Sequence, residues 1–474
     1  MTARRFRWIA ISLCWLMPLG LYGGTRLFVE PLATRDRADR LRDALVAELR
    51  KSSAISLVAR ASDAEAILGG GGEIWVQGYR SLNPRSGTLP DRGTPVYKGY
   101  LSVELKDPAG ETIWSYLVTP GADSGDIAKD LARRIAKAVE EAIQQPRTLA
   151  PRNPPPAPSI VLKGAGATFP YPVYQKWFLN FRQQNPKTEI EYEAVGSQEG
   201  MRRLLASQVD FGASDDPAAL HELAPESESR YLFFPSVVGA VVPIVNLPGF
   251  GGDIVFTPEA LAGIYLGKIR KWNDPVLARA NKGAHLPNLD IVVVHRSDGS
   301  GTSYAWTDYL SRVSSEWKAE VGSGLTAKWP VGRGAAGNDG VAKYVKEVGG
   351  SIGYVEYIYA LQNHLSYGAV RNRNGEAVAA SLESLAAALK DPVEIGEELK
   401  VSIVNAPGRG AYPIASFTWL VVPAHMESGA KREAFCEFLR WMLGTGQNRA
   451  AALGYLPLPK DLVRRELEAI GRIR

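Results

Sequence analysis

Cysteine is almost absent from this 474-residue chain, with only Cys14 and Cys436 present. Two thiols, one of them inside an apolar N-terminal stretch, exclude a disulfide framework and a cysteine-ligated metal centre. Histidine is scarce as well: the five fall at positions 221, 285, 295, 364 and 425, with no H-E-x-x-H pair to hold zinc. Neither a metal nor any other cofactor is expected. No G-x-x-x-x-G-K-[ST] occurs, and "GAGATF" from Gly164 lacks the third glycine of the dinucleotide fingerprint. His295 and Ser300 suggest a nucleophilic pair, but adjacent strand residues point to opposite faces, so His295 looks away from whatever Arg296 touches. No enzymatic activity is expected. The net charge of +5 is small for the length, and basic residues mix with acidic ones rather than forming a stripe, which argues against nucleic acid as a partner.

What is present is 45% apolar and 22% charged residues, enough for large cores and about two to four domains. Arg4, Arg5 and Arg7 precede an apolar stretch from Trp8 to Tyr22, so residues 1–24 read as a signal peptide or a signal anchor. Either form places the remainder outside the cytoplasm, in a periplasmic or equivalent compartment; an uncleaved leader would tie it to the inner membrane. "ISLC" at Cys14 has Leu13 where a lipoprotein box needs a small residue. A second landmark is "PRTLAPRNPPPAP", residues 146–158, in which six of thirteen residues are proline. Such a segment is a stiff polyproline II spacer, and the chain divides there. Before it, Leu41, Leu45 and Leu49, and then Ile127, Leu131, Ile135 and Val139, mark two amphipathic helices. Strand patterns lie between them, ending in a hairpin that turns at Asp107 to Gly110. Residues 25–145 therefore read as a small α+β domain without a catalytic cluster, and an envelope partner is its expected role. After the spacer, apolar strands alternate with helical patterns, the signature of mostly parallel α/β sheets, in two lobes.

Three stretches of this second region share one design, in which small or hydroxyl residues end a strand and a helix follows. They are "GAGATFP" at 164–170, "VGSQEG" at 195–200 and "HRSDGSGTS" at 295–303. Helix starts present unpaired N–H groups, and Thr168, Ser197, Ser300 and Thr302 add hydroxyl donors. Singly, each stretch is a plain helix cap. Jointly, they can surround a tetrahedral oxyanion, with Arg296 as a forked cation and Asp298 placed to hold its guanidinium. A fourth stretch, "VDFGASDDP" from Val209, ends a strand at Asp215 and Asp216. A carboxylate beside an anion site is costly unless the ligand carries a proton. Hydrogen phosphate can donate to it, whereas fully deprotonated sulfate cannot.

From Ser159 to the C-terminus the chain resembles the periplasmic phosphate-binding protein of the high-affinity phosphate ABC transporter. The resemblance rests on "GAGATFPYPVYQKW", "VDFGASDDP", "IYLGKIRKWNDP", "RSDGSGTSYAWTDYLS", "EWKAEVGSGLTAKWPVGRGAAGNDGVAKYV" and "GSIGYVEYIYA" in family order. It implies a two-lobed periplasmic-binding-protein fold, type II-like, closing on phosphate and delivering it to membrane permease subunits. The implied contacts are Thr168 and the Phe169 N–H, Ser197, Asp215 as acceptor of the ligand proton, Arg296, Ser300, the Gly301 N–H and Thr302, with Asp298 bracing the arginine. One lobe would take residues 159–237 and 412–474, the other 238–411. Gln198 and Glu199 depart from the family's glycine and serine, and a Glu199 leaning into the cleft would weaken anion binding. The N-terminal domain and proline spacer are a larger departure. They leave an alternative in which the same module acts as an envelope phosphate sensor or scaffold.

Overall fold

A computed structural model describes residues 24–32, 38–80, 94–108, 110, 112–119, 126–144, 159–390 and 399–474. The expected leader and the proline spacer lie outside the described residues. No helix among the described residues is long and apolar enough to cross a membrane.

The N-terminal part contains β1 (Thr25–Val29), α1 (Ala38–Leu49), β2 (Ile55–Leu57), β3 (Ala66–Arg80), β4 (Thr94–Lys106), β5 (Thr112–Val118) and α2 (Ile127–Ile143). The strands form one sheet in the order β2-β1-β3-β4-β5. The β4–β5 connection closes with Gly110 N–H on the Asp107 carbonyl at 2.9 Å, and Gly110 takes φ +85°, a conformation that glycine adopts without a Cβ clash. Helix α2 starts at Asp126, whose carboxylate accepts from Lys129 N–H. It buries Leu131, Ile135 and Val139 against Leu41, Leu45 and Leu49 of α1 and against the sheet, in an apolar core of its own.

A second, larger core fills the remainder. Its first elements are β6 (Ile160–Gly166), α3 (Tyr171–Gln184), β7 (Thr188–Glu193), α4 (Ser197–Leu205), β8 (Phe211–Ser214) and α5 (Ala219–Leu223). The chain then enters β9 (Tyr231–Asn246), β10 (Val255–Phe256), α6 (Pro258–Tyr265), α7 (Pro275–Ala280), β11 (Val292–Arg296), α8 (Gly301–Val313), α9 (Ser315–Glu320) and β12 (Arg333–Ala335). Next come α10 (Gly337–Glu347), β13 (Ser351–Glu356), α11 (Tyr357–Gln362), β14 (Ser366–Tyr367), β15 (Ala369–Arg371), β16 (Ala377–Val378) and α12 (Leu382–Ala388). The last are β17 (Ala415–Pro423), α13 (Gly429–Trp441), α14 (Gln447–Ala450) and α15 (Lys460–Ala469).

Two parallel half-sheets, β7-β6-β8 and β12-β11-β13, are the two lobes. They are joined by antiparallel strands, which corrects the expectation of mostly parallel pairing. Strand β9 runs its first half against β17 and its second half against β13, so one 16-residue strand serves both lobes. Nearly all of it is buried on both faces, which is why its sequence is a continuous apolar run. Pro235 lies inside this strand, where a ladder N–H would be missing. The register against β17 shifts there, between Thr418 and Trp419, which is the place a strand proline is tolerated. The shift frees Ser236, whose hydroxyl bonds the Thr418 carbonyl at 3.0 Å and the Tyr174 hydroxyl at 2.8 Å.

Candidate anion-binding cleft

The glycines ahead of α3 answer first to packing. A Cβ at Gly164 would fall on the Phe211 ring, and one at Gly166 (φ +149°) would fall on the Ala213 backbone, with its nitrogen 2.7 Å away. Small residues let β6 press on β8, and Thr168 and Phe169 then emerge at the strand end, just before α3. Phe169 sends its ring to the crossing strands, where a Cβ at Gly239 would meet it at 2.6 Å, and its carbonyl accepts from the Tyr455 hydroxyl at 2.6 Å.

Opposite, β11 ends at Arg296 and the chain turns into α8. Ser300 is the N-cap of α8: its hydroxyl oxygen accepts from Ser303 N–H at 3.1 Å and keeps its own hydrogen to donate. Arg296 is buried, with Nε on Asp298 Oδ1 at 2.7 Å and Nη2 on Asp298 Oδ2. This fork leaves Nη1, which reaches Thr302 Oγ1 at 3.4 Å. Burial alone would raise the Asp298 carboxyl, but the guanidinium and the Gly337 N–H hold it below the usual carboxylate range. His295 stacks on Trp329 with centroids 4.8 Å apart and bonds the Arg296 carbonyl, on the other face of the strand.

The two strand ends meet. Ser197, first residue of α4, accepts from the Gly301 N–H at 3.1 Å, and the Gln198 N–H donates to the Gly299 carbonyl at 3.1 Å. Asp215, at the end of β8, lies against Gly301, where a Cβ would fall on its Oδ2 and lie 2.6 Å from Ser197 Oγ. Thr418 of β17 donates to Asp215 Oδ1 at 2.5 Å, while Oδ2 is buried and has no hydrogen-bond partner among the described residues. Burial pushes the Asp215 carboxyl up to about 7, against the pull of the Thr418 bond and of Arg296. Asp216 is also raised, to about 7, chiefly by burial, but it turns the other way to cap the Ala218 N–H at 2.8 Å.

The structure therefore gathers Thr168, Ser197, Asp215, Arg296, Asp298, Ser300, Gly301 and Thr302 at one place between the lobes. It adds Asn338, which the sequence reading did not single out. Asn338 is buried in the first turn of α10, donating to Thr168 Oγ1 at 2.9 Å and Thr302 Oγ1 at 3.3 Å and accepting from the Glu356 N–H at 3.0 Å. The same signal that marked the other stretches, small residues directly before a helix, is present in "GAAGNDG". Glu199 does not lean into the cleft; it accepts from Arg203 Nε at 3.0 Å, and Arg203 also pairs with Glu193 at 2.8 Å.

Four helix starts, one buried arginine and one buried carboxylate are groups with the donors, fixed charge and acceptor that a small oxyanion carrying a proton requires. A PBP superfamily domain is recognised over residues 139–445. The phosphate-binding protein PstS of Pasteurella multocida (strain Pm70) is 43% identical over 306 residues, 64% of this chain and 88% of that protein. The chain belongs to the PstS family of phosphate-binding proteins. The phosphate-binding protein PstS of Xylella fastidiosa (strain Temecula1) is likewise 43% identical, over 313 residues covering 66% of this chain and 85% of its own. In fold, the chain is similar to a high affinity periplasmic phosphate-binding protein bound with phosphate, with a TM-score of 0.51 at 21% identity, covering 64% of this chain and 92% of that one. The family model begins at residue 139, inside α2, so the sheet β1–β5 and α1 precede the matched region.

Proposed function

We propose that the protein binds inorganic phosphate in the cleft between its lobes, outside the cytoplasm, and delivers it to the permease subunits of an ABC transporter. The observation that carries this reading is Asp215 Oδ2, buried with no hydrogen-bond partner among the described residues and lying against Gly301. Thr168, Ser197, Ser300 and Thr302 supply hydroxyl donors, the Phe169 and Gly301 N–H groups supply backbone donors, and Arg296 supplies the fixed charge. Asp298 holds Arg296 in place. Asp215 accepts the proton that hydrogen phosphate retains and sulfate lacks. The ligand is held, not converted. Residues 159–237 with 412–474 form one lobe and 238–411 the other, with the hinge where β9 changes partner, near Gly239 to Val241. Residues 25–145 form a separate domain joined through the spacer, and residues 1–24 direct export and hold or release the chain at the inner membrane. The comparisons do not favour a sensor or scaffold role for the same module.

Calorimetric titration of the full chain with phosphate and with sulfate tests this. Tight uptake of phosphate and little of sulfate is expected; a folded protein silent to phosphate would sink the reading.

A further inference from the structure

The N-terminal sheet touches both lobes. On the first, three hydroxyls of β4 and β5 hold the stretch 448–452. Ser102 Oγ donates to the Ala452 carbonyl at 2.7 Å, Ser115 Oγ donates to the Asn448 carbonyl and accepts from the Ala452 N–H at 3.2 Å, and Arg449 Nη1 donates to Thr112 Oγ1 at 2.8 Å. Ser115, Thr112 and Arg449 are all buried, and Leu117 joins the larger core. On the second lobe the contacts are polar and more open, apart from a long bond of 3.4 Å from the buried Tyr357 hydroxyl to Thr119 Oγ1. Glu383 accepts from the Tyr116 hydroxyl at 2.5 Å and from Arg134 Nη2 at 3.0 Å, and Glu73 pairs with His364 at 2.5 Å. Glu383 is 53% exposed and His364 37%. Meanwhile the lobes themselves are in contact, through Gln198 on Gly299, Ser197 on Gly301 and Asn338 on Thr168.

These two sets of contacts coexist only in one lobe arrangement. A hinge rotation about β9 and β17 that parts residues 196–198 from 298–301 also moves α11 and α12 of the second lobe relative to α14 of the first. The sheet, anchored by buried bonds on the first lobe, gives up the more open set on the second lobe first. We propose that the N-terminal sheet with α1 and α2 is a strap across the hinge that favours the closed arrangement and slows phosphate release, with Glu383 and His364 as its latch points. The proposal rests on phosphate being the ligand. A binding protein of the shared region alone closes by ligand contacts; this chain adds a second, ligand-independent bias to the same equilibrium.

The test uses the full chain carrying a fluorescent donor and acceptor on opposite lobes, with phosphate release followed by stopped flow. Glu383→Ala with His364→Ala is expected to speed release about 3- to 10-fold and to raise the open fraction without phosphate. Exchanging the charges, Arg134→Glu with Glu383→Arg in one chain, is expected to return part of the lost retention relative to Glu383→Arg alone. A folded double variant with unchanged release and unchanged lobe separation overturns the strap. If the unaltered protein takes up no phosphate, the ligand assignment falls, and the lobe separation of the ligand-free chains still decides on the strap.

Discussion

Asp215 bears two opposing demands. Burial makes its charge expensive, yet the proposed selectivity depends on an acceptor at Oδ2. Replacing it by asparagine puts an N–H donor or a turned carbonyl where the acceptor stood, so phosphate loses a charged hydrogen bond and sulfate loses a repulsion. Each such bond is worth about 1.5–3 kcal/mol, and the phosphate-to-sulfate affinity ratio of Asp215→Asn should fall by about tenfold or more in paired titrations. An unchanged ratio would show that the proton is read elsewhere. The raised carboxyl also sets a pH dependence. A carboxyl held at about 7 in the folded chain, against 3.8 in the unaltered group, stabilises the ligand-free fold fully below 3.8 and loses that contribution as pH rises through about 7. Asp216 acts in the same direction. Melting temperature without phosphate should therefore fall from about pH 5 to about pH 8, less steeply in Asp215→Asn. Below about pH 7 Asp215 carries its own proton and can donate to sulfate, so discrimination should narrow on acidification. Equal sulfate rejection at about pH 5.5 and about pH 8 would contradict the assigned role.

At the scale of elements, the cleft is a meeting of helix starts, and glycines there serve different ends. Gly166 lets β6 lie on β8, and alanine in its place is strained by φ +149° as well as by the Ala213 backbone. Gly166→Ala should lower the melting temperature markedly. Gly301 has no such backbone demand, and alanine there strikes Asp215 and Ser197. Gly301→Ala should keep most stability yet weaken phosphate binding by tenfold or more, a split that calorimetry and thermal melts on one pair of variants can read; equal damage to both quantities in both variants would refute it. The helix starts and the Arg296–Asp298 pair were legible in the sequence, because strand-to-helix punctuation and a two-residue spacing at a strand end are local signals. Asn338 was legible only as one more helix start in "GAAGNDG"; its bonds to Thr168, Thr302 and Glu356, which are far apart in sequence, needed the fold. The direction of Glu199 also needed the fold, because Arg203 and Glu193 come from a helix turn and a separate strand. The place of Pro235 inside β9 has a similar cause: the bulge that admits it exists only against β17. Truncating Asn338 to alanine should leave a bridge between the lobes unmade, and weaker phosphate affinity with little change in the phosphate-to-sulfate ratio is the expected calorimetric result.

For the whole molecule, the two apolar cores are separate clusters, one under β1–β5 and one under both lobes. Between them stand hydroxyl-to-backbone bonds, a few ion pairs and Leu117, an interface more polar than either core. Cooperativity follows buried apolar contact, so heating should unfold two units rather than one. The proposed phosphate contacts all lie in the larger unit, and at 1,000 times its dissociation constant the ligand would add about 4 kcal/mol to that unit alone. With an unfolding entropy of about 2.1 cal/mol/K per residue, the transition of a unit of roughly 315 residues should rise by about 6 °C. The N-terminal transition should move less, by whatever the latch at Glu383 and His364 transmits. Differential scanning calorimetry with and without phosphate distinguishes the cases. A single transition that shifts as a whole would mean that the hydroxyl bonds to 448–452 fuse the two cores into one cooperative unit, and the strap would then be part of the binding fold rather than a restraint laid across it.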